Sequence, residues 1–348
     1  YNSIKFDEEF LRNAFFRNLY DPYLTIKNNN LRSDLLETAR ISNYFFPDII
    51  VSLLSQKGTP ILKLESLAAV NGVKNFTAHD ALGDTYATLE IAKKIKKEIP
   101  SIWKKGTEGQ DKFSLESEIK SGPFCYLESF FGKTKAFLLS YIGDHPYYKW
   151  SLCFDLKEDP KKILSMTSSE LSSYLSNSPK VIRNIKLNKS PILLNKEFKN
   201  KINNYEAIPD EIITDRDNFV KTNNDFREKI YSFYTNSFDS NSLQSQEDVY
   251  TEETIYKKFL DHHDSTILKE FYTCNWTEKV KLISKLKDDR LVYFAELMLF
   301  EEKPEYLDKN KVKKIQAHFA NRLLSKNKEK WLTIYEAYKK IDDLREKY

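Results

Sequence analysis

Eight glycines in 348 residues leave this chain few places to reverse direction tightly. Glycine is the residue that enters left-handed turns without strain. Collagen, Gly-rich linkers and most barrel or propeller architectures, which are dense in tight turns, are therefore excluded. The chain can still fill cores, because 23 Phe and 21 Tyr bring its aromatic content to 14%. Its length exceeds one ordinary core and implies two or three domains.

Charge and cysteine usage narrow the class further. A net charge of +4 permits a polyanionic partner without demanding one. Cys125, Cys153 and Cys274 are far apart and odd in number, which argues against a disulfide framework or a Cys-rich zinc site and fits a reducing, cytoplasmic setting. No apolar run approaches the ~20 residues of a membrane span. The chain opens on Tyr1, and by Phe6 it already reads as the end of a buried segment leading into a helix. The expectation is a fragment whose own N-terminus lies upstream.

The pattern along the chain predicts an α+β multidomain protein in three parts. Residues 1–100 carry helical spacing at 8–19, 33–40, 62–71 and 80–98. Asp7 stands at the start of the first helix, Gly72 closes the third and Pro100 ends the fourth. In residues 101–240, short apolar or alternating runs at 124–127, 137–141, 150–154, 181–187 and 192–194 are separated by turn residues, the mark of a small β-rich domain with helical insertions. Residues 237–246 are rich in Ser, Asn and Gln and read as a linker. Residues 241–348 are helical, with segments expected at 251–262, 277–287, 289–300, 310–325 and 328–347. Trp103, Trp150, Trp276 and Trp331 are expected in cores.

Two carboxylates stand out by placement. Asp84 is followed at helical spacing by Ala87, Thr88, Ile91, Ala92 and Ile95, which puts it at the N-terminal end of a buried stripe. Asp7 bears the same relation to Phe10, Leu11, Ala14 and Phe15. A carboxylate so placed must be protonated, paired or bound to a cation. Side by side, the two would make half of an oxygen-ligand metal site. Capping of a first helical turn is the competing role for both. His79 precedes Asp84 by five residues on the entry loop, where a neutral imidazole can take a proton from water, and the small Ala81 and Gly83 leave room for a substrate backbone.

These residues carry a family resemblance. Thr77-Ala78-His79-Asp80-Ala81-Leu82-Gly83-Asp84 resembles the third motif, His-x-Ala-x-x-Asp, of the DEDDh branch of the DEDD 3′–5′ exonucleases. Leu64-Glu65-Ser66-Leu67 resembles the helix ahead of it, and Asn2-Ser3-Ile4-Lys5-Phe6-Asp7 resembles the second motif. Arg12-Asn13-Ala14-Phe15-Phe16-Arg17, Arg32-Ser33-Asp34-Leu35-Leu36-Glu37, Ser129-Phe130-Phe131-Gly132 and Ile185-Lys186-Leu187-Asn188-Lys189-Ser190-Pro191 narrow the match to the bacterial exodeoxyribonuclease I family over nearly the whole chain.

The resemblance implies a ribonuclease-H-like exonuclease domain, here partial (1–100), an SH3-like β-rich domain (101–240) and a C-terminal helical domain (241–348). It implies 3′ to 5′ hydrolysis of single-stranded DNA to nucleoside monophosphates, in DNA repair or recombination, with two Mg²⁺ ions. Asp84 is then a metal ligand, Asp7 supports the second metal and His79 is the general base. Arg12, Arg17, Tyr20 and Arg40 are candidate strand contacts, and basic residues from Lys311 to Lys330 are candidates for an outer wall. The implied partner is the acidic tail of single-stranded DNA-binding protein, and the implied state is a monomer in the cytoplasm. The family's first motif, Asp-x-Glu, does not stand ahead of Asn2, so the chain by itself is expected to bind metal weakly and to cut poorly. The alternatives are a non-catalytic module that binds single-stranded nucleic acid, and a DEDDh exonuclease directed at RNA.

Overall fold

The computed structural model describes every residue except 75, 78, 79, 109, 110, 131, 242–249 and 348, and of 237–241 it describes the backbone alone. The chain divides into two compact units, one of residues 1–9 and 25–245, the other of 10–24 and 246–348. The division falls inside the first helix, α1 (Asp7–Arg17).

In the first unit α2 (Leu35–Phe45) is followed by a small hairpin, β1 (Leu53–Leu54) and β2 (Pro60–Ile61), and by α3 (Leu64–Val70) and α4 (Ala81–Glu98). Pro100 both ends α4 and opens α5 (Pro100–Thr107), because a first-turn proline gives up no helical hydrogen bond. After α6 (Lys112–Ser121) come β3 (Phe124–Phe130), β4 (Lys133–Asp144) and β5 (Ser151–Asp155). Then follow α7 (Lys162–Ser165), α8 (Ser168–Ser176), β6 (Ile182–Ile185) and β7 (Leu194–Asn195). Strands β3 to β7 form an antiparallel sheet in the order β6-β5-β4-β3-β7.

The sheet is covered on both faces, which is why β4 is buried continuously from Ala136 to Ser140. Ala136, Leu138, Leu152 and Phe154 face one apolar core, which also takes Ala39, Ile91 and Ile95 from the helices before the sheet. Phe226 and Ile230 of α10 (Asn224–Asn241), which follows α9 (Asp210–Thr222), join that same core. Phe137, Leu139 and Cys153 face a second core, closed by Leu115 and Ile119 of α6. Residues 1–100 and 101–240 are thus packed around one continuous core. Gly143 lies close under α10: a Cβ on it would stand 1.8 Å from the Tyr231 hydroxyl, so a side chain there would have to displace that ring.

The second unit holds α11 (His262–Phe271), α12 (Trp276–Ile283), α13 (Asp289–Glu302), α14 (Lys309–Leu324) and α15 (Ile334–Lys347). Phe16 and Leu19 join Ile267, Phe271, Leu291 and Phe294 in its core, with Phe16 edge-on to Phe294 at 5.0 Å.

Several expected features come out differently. The buried side of α1 is not Phe10, Leu11, Ala14 and Phe15, since Phe10 is 66% exposed. It is Glu8, Arg12 and Phe16, and Leu19 just past the helix is buried as well. Glu8 can face inward because Arg32 pairs with it and the Thr25 hydroxyl donates to it at 3.0 Å. The helix expected at 251–262 is a single 3₁₀ turn, Thr251–Glu253, and the helix begins only at His262. Arg290 explains this. Its guanidinium takes the carbonyls of Thr254 at 2.7 Å and Lys258 at 3.1 Å, oxygens that a helix would have used internally.

Of the expected linker, 237–241 is the end of α10, and 242–246 lies outside the described residues. The last helix starts at Ile334 rather than 328, after a turn in which the Trp331 indole donates to the Arg322 carbonyl at 2.8 Å. The four tryptophans are half-buried rather than interior.

Candidate active-site cleft

The cleft is built from the start of α4. Asp80 caps that helix, its carboxylate accepting the Gly83 N–H at 2.8 Å. With Asp80 in the capping role, Asp84 does not cap the helix. The buried face of α4 is Gly83, Ala87, Ile91 and Ile95, so Asp84 sits half-buried at its margin rather than at its centre. Gly83 leaves no room for a substrate backbone, contrary to expectation: the space that a side chain would fill is occupied by the chain's own Thr77. Thr77 and Asp80 flank His79, which lies outside the described residues.

Asp84 lines a cleft of about 510 Å³ together with Asn2, Arg40, Glu65, Ser129 and Gly132. They come from five pieces of the first unit, with Ser129 and Gly132 from the same hairpin. Glu65 is in the first turn of α3. Ser129 and Gly132 flank the tip of the β3–β4 hairpin, where Phe130 pairs with Lys133 and Gly132 takes φ +80°. Asn2 is held by Asp34, the N-cap of α2. Asp34 accepts N–H groups from Asn2 at 2.7 Å, Ile4 at 3.2 Å and Leu36 at 3.1 Å.

Arg40 projects from α2 and pairs through Nη1 with Glu37, whose other oxygen takes Lys5 Nζ at 2.5 Å. Burial pushes the Glu37 carboxyl up, but the Arg40 and Lys5 charges and their hydrogen bonds hold it below the usual range. Glu37 is therefore an ionised anchor between two cations.

Of the expected site residues, the structure brings Asp84 and Arg40 to one cleft. Asp7 is exposed at the start of α1 and does not line it. Arg12, Arg17 and Tyr20 fall in the second unit. There Arg12 is buried with its guanidinium 5.3 Å from the Tyr23 ring centre, Arg17 is exposed, and Tyr20 stacks on Tyr272 at 4.0 Å. Sequence reasoning did not single out Glu65, Ser129 or Gly132 as site residues, although each lies in a quoted motif.

As a metal site, the cleft fits in kind. Asp84 and Glu65 are the hard oxygen donors that a divalent cation such as Mg²⁺ takes. In number it is incomplete: among the described residues, no three of His, Cys, Asp or Glu come together to hold an ion.

The fold of this chain is one that solved exonuclease I structures share. Exonuclease I from Methylocaldum szegediense superposes with a TM-score of 0.79 at 21% identity, over 99% of this chain and 74% of its own. E. coli exonuclease I in complex with a dA16 oligonucleotide gives 0.75 at 22% identity, over 99% and 74%. An exonuclease I structure described with SSB and an inhibitor gives 0.72 at 22%, over 99% and 73%. No protein-family model matches the chain. In sequence, the exodeoxyribonuclease I of Buchnera aphidicola subsp. Schizaphis graminum is 30% identical over 307 residues, 84% of this chain and 62% of that protein. The chain is a homologue of bacterial exodeoxyribonuclease I, and it spans about 62% of the length of that relative.

Proposed function

We propose that this chain is the greater part of a 3′ to 5′ exonuclease that hydrolyses single-stranded DNA and releases nucleoside 5′-monophosphates. The observation that carries the reading is the placement of Asp84. It stands in the first turn of a helix already capped by Asp80, and it shares a cleft with Arg40 in an exonuclease I fold.

Asp84 would hold a cation at the cleft, and by resemblance Asp7 would support a second. When bound, divalent cations such as Mg²⁺ lower the pKa of a water and offset charge on the phosphate. His79, which falls between Thr77 and Asp80 in the sequence, takes the proton from the attacking water. Arg40 holds a phosphate oxygen and so fixes the terminal nucleotide against the acids. Exposed Arg17 and Tyr20 remain candidate strand contacts, through charge and stacking, whereas Arg12 is buried against Tyr23. The division into a ribonuclease-H-like part, an SH3-like part and a helical part belongs to the same reading. So do a role in DNA repair, a monomeric state in the cytoplasm, and binding of the acidic tail of single-stranded DNA-binding protein, a partner named in one of the similar structures.

The test is made on the gene product that contains this chain. A 5′-labelled dT16 is incubated with Mg²⁺ or with EDTA, and shortening from the 3′ end and release of dTMP are followed. We expect Mg²⁺-dependent shortening that Asp84→Ala abolishes while its thermal midpoint stays near wild type. Full activity in Asp84→Ala, or degradation of RNA in preference to DNA, overturns the assignment.

A further inference from the structure

Glu37 binds two cations from two different segments. It sits one helical turn ahead of Arg40 on α2 and pairs with its guanidinium, and it also binds the Lys5 ammonium, 32 residues away in sequence. Lys5 lies two residues before Asp7. The backbone around it is already held by Asp34, one turn earlier on the same helix, through the N–H groups of Asn2 and Ile4. The first turns of α2 thus grip both the segment leading to Asp7 and the arginine that lines the Asp84 cleft. The Arg40 side chain is 12% exposed and lines the cleft; its Nε is buried without a hydrogen-bond partner among the described residues, so the donors it can turn to the cleft are those of its Nη nitrogens.

We propose that Glu37 is a positioning residue for strand binding: by fixing Arg40 on one side and Lys5 on the other, it presents the donors it does not itself use to a phosphate oxygen of the single strand. The proposal rests on the exonuclease reading of the cleft. Its physical basis is preorganisation. A free arginine side chain loses much rotamer freedom when it binds, whereas one already clamped by a carboxylate loses little. Glu37 is shared between two cations, so it also couples the position of Arg40 to that of the Asp7 segment.

The experiment is a double-mutant cycle on the gene product that contains this chain, with Glu37→Gln, Arg40→Gln and both together. Affinity for fluorescein-labelled dT16 is read by anisotropy in EDTA, and kcat and KM are read with Mg²⁺. Glu37→Gln is expected to weaken binding about tenfold and to raise KM more than it lowers kcat. In the Arg40→Gln background the same change is expected to cost less than about twofold, because the effect travels through Arg40. Additive losses overturn the proposal, and so does wild-type affinity in Glu37→Gln. If Glu37→Gln does not fold, Lys5→Met takes its place, with an expected loss of about threefold that also disappears with Arg40→Gln. A wild-type protein that neither binds nor shortens dT16 sinks the exonuclease reading itself. A wild type that does both while the cycle is additive sinks this inference alone.

Discussion

Gly83 lies directly against the backbone of Thr77: a Cβ built on it would stand 2.3 Å from the Thr77 carbonyl oxygen and 3.0 Å from its nitrogen. The residue ahead of Asp84 is therefore where Thr77 is seated on α4. Gly83→Ala is expected to push that backbone off the helix. The cost should be about 1–3 kcal/mol, the range for overpacking a filled site, since backbone gives way less readily than a side chain. Urea unfolding of the variant measures it, and unchanged stability would show that Thr77 moves freely. Activity should fall further than stability alone explains, because Asp84 follows Gly83 directly and shifts with the first turn of α4.

Asp34 accepts three backbone N–H groups while it is 5% exposed. Asp34→Ala leaves those donors without a partner at the N-terminus of α2 and at Asn2 and Ile4. The expected loss is about 3 kcal/mol, combining a lost cap with orphaned N–H groups. Asp34→Asn keeps one acceptor oxygen and should recover roughly half of that. Equal stability of the two variants would show that the carboxylate's second oxygen is not needed.

The second unit depends on a buried ion pair. Burial pushes the Asp288 carboxyl up, but hydrogen bonds and charge from Arg290 bring it below the usual range. The sign follows from linkage. A carboxyl lowered in the folded state contributes stability that is present above its ordinary value of 3.8 and is lost as pH falls through the folded value. Glu37 behaves alike relative to 4.5. Asp155 is opposite: burial raises it, so its contribution is present below 3.8 and is lost as pH rises through the folded value. A thermal midpoint that falls as the medium is acidified below about pH 4 is expected, since among the described residues Glu37, Asp111, Glu116, Glu170, Asp210, Glu252 and Asp288 are lowered and only Glu128 and Asp155 are raised. Arg290→Gln should destabilise the helical unit by about 3–5 kcal/mol and flatten its acid dependence, because it strands Asp288 and also releases the Thr254 and Lys258 carbonyls. A variant with wild-type acid dependence would rule the pair out as its source.

The same contacts show what the sequence makes legible. Helix α4 is readable because its apolar residues recur over 18 residues and both ends are marked, by Asp80 and by Pro100. Asp84 and His79 are readable as a motif, although only Asp84 lies within the described residues. The pair Glu37 and Arg40 is local enough to be guessed, at i and i+3. What is not readable depends on distant partners. Glu8 could be buried only because Arg32, 24 residues on, supplies its charge. The helix expected at 251–262 is lost to a guanidinium more than 30 residues away. Ser129 and Gly132 reach the cleft only because strand pairing carries the hairpin tip there, which periodicity along one strand does not reveal.

Arg40 offers the sharpest test of strand binding, because it can be read without any turnover. Each phosphate that a cation neutralises releases counterions, so log K for a single strand falls with log salt at a slope of about 0.7 per contact. Arg40→Gln removes one such contact. The magnitude of the slope for dT16 should shrink by about 0.7, and affinity at low salt should drop while affinity at high salt converges on wild type. Asp84→Ala should leave the slope unchanged or steepen it slightly, since it removes a negative charge from the same cleft. An Arg40→Gln slope equal to wild type would mean that the Arg40 guanidinium is fully spent on Glu37 and does not meet the strand.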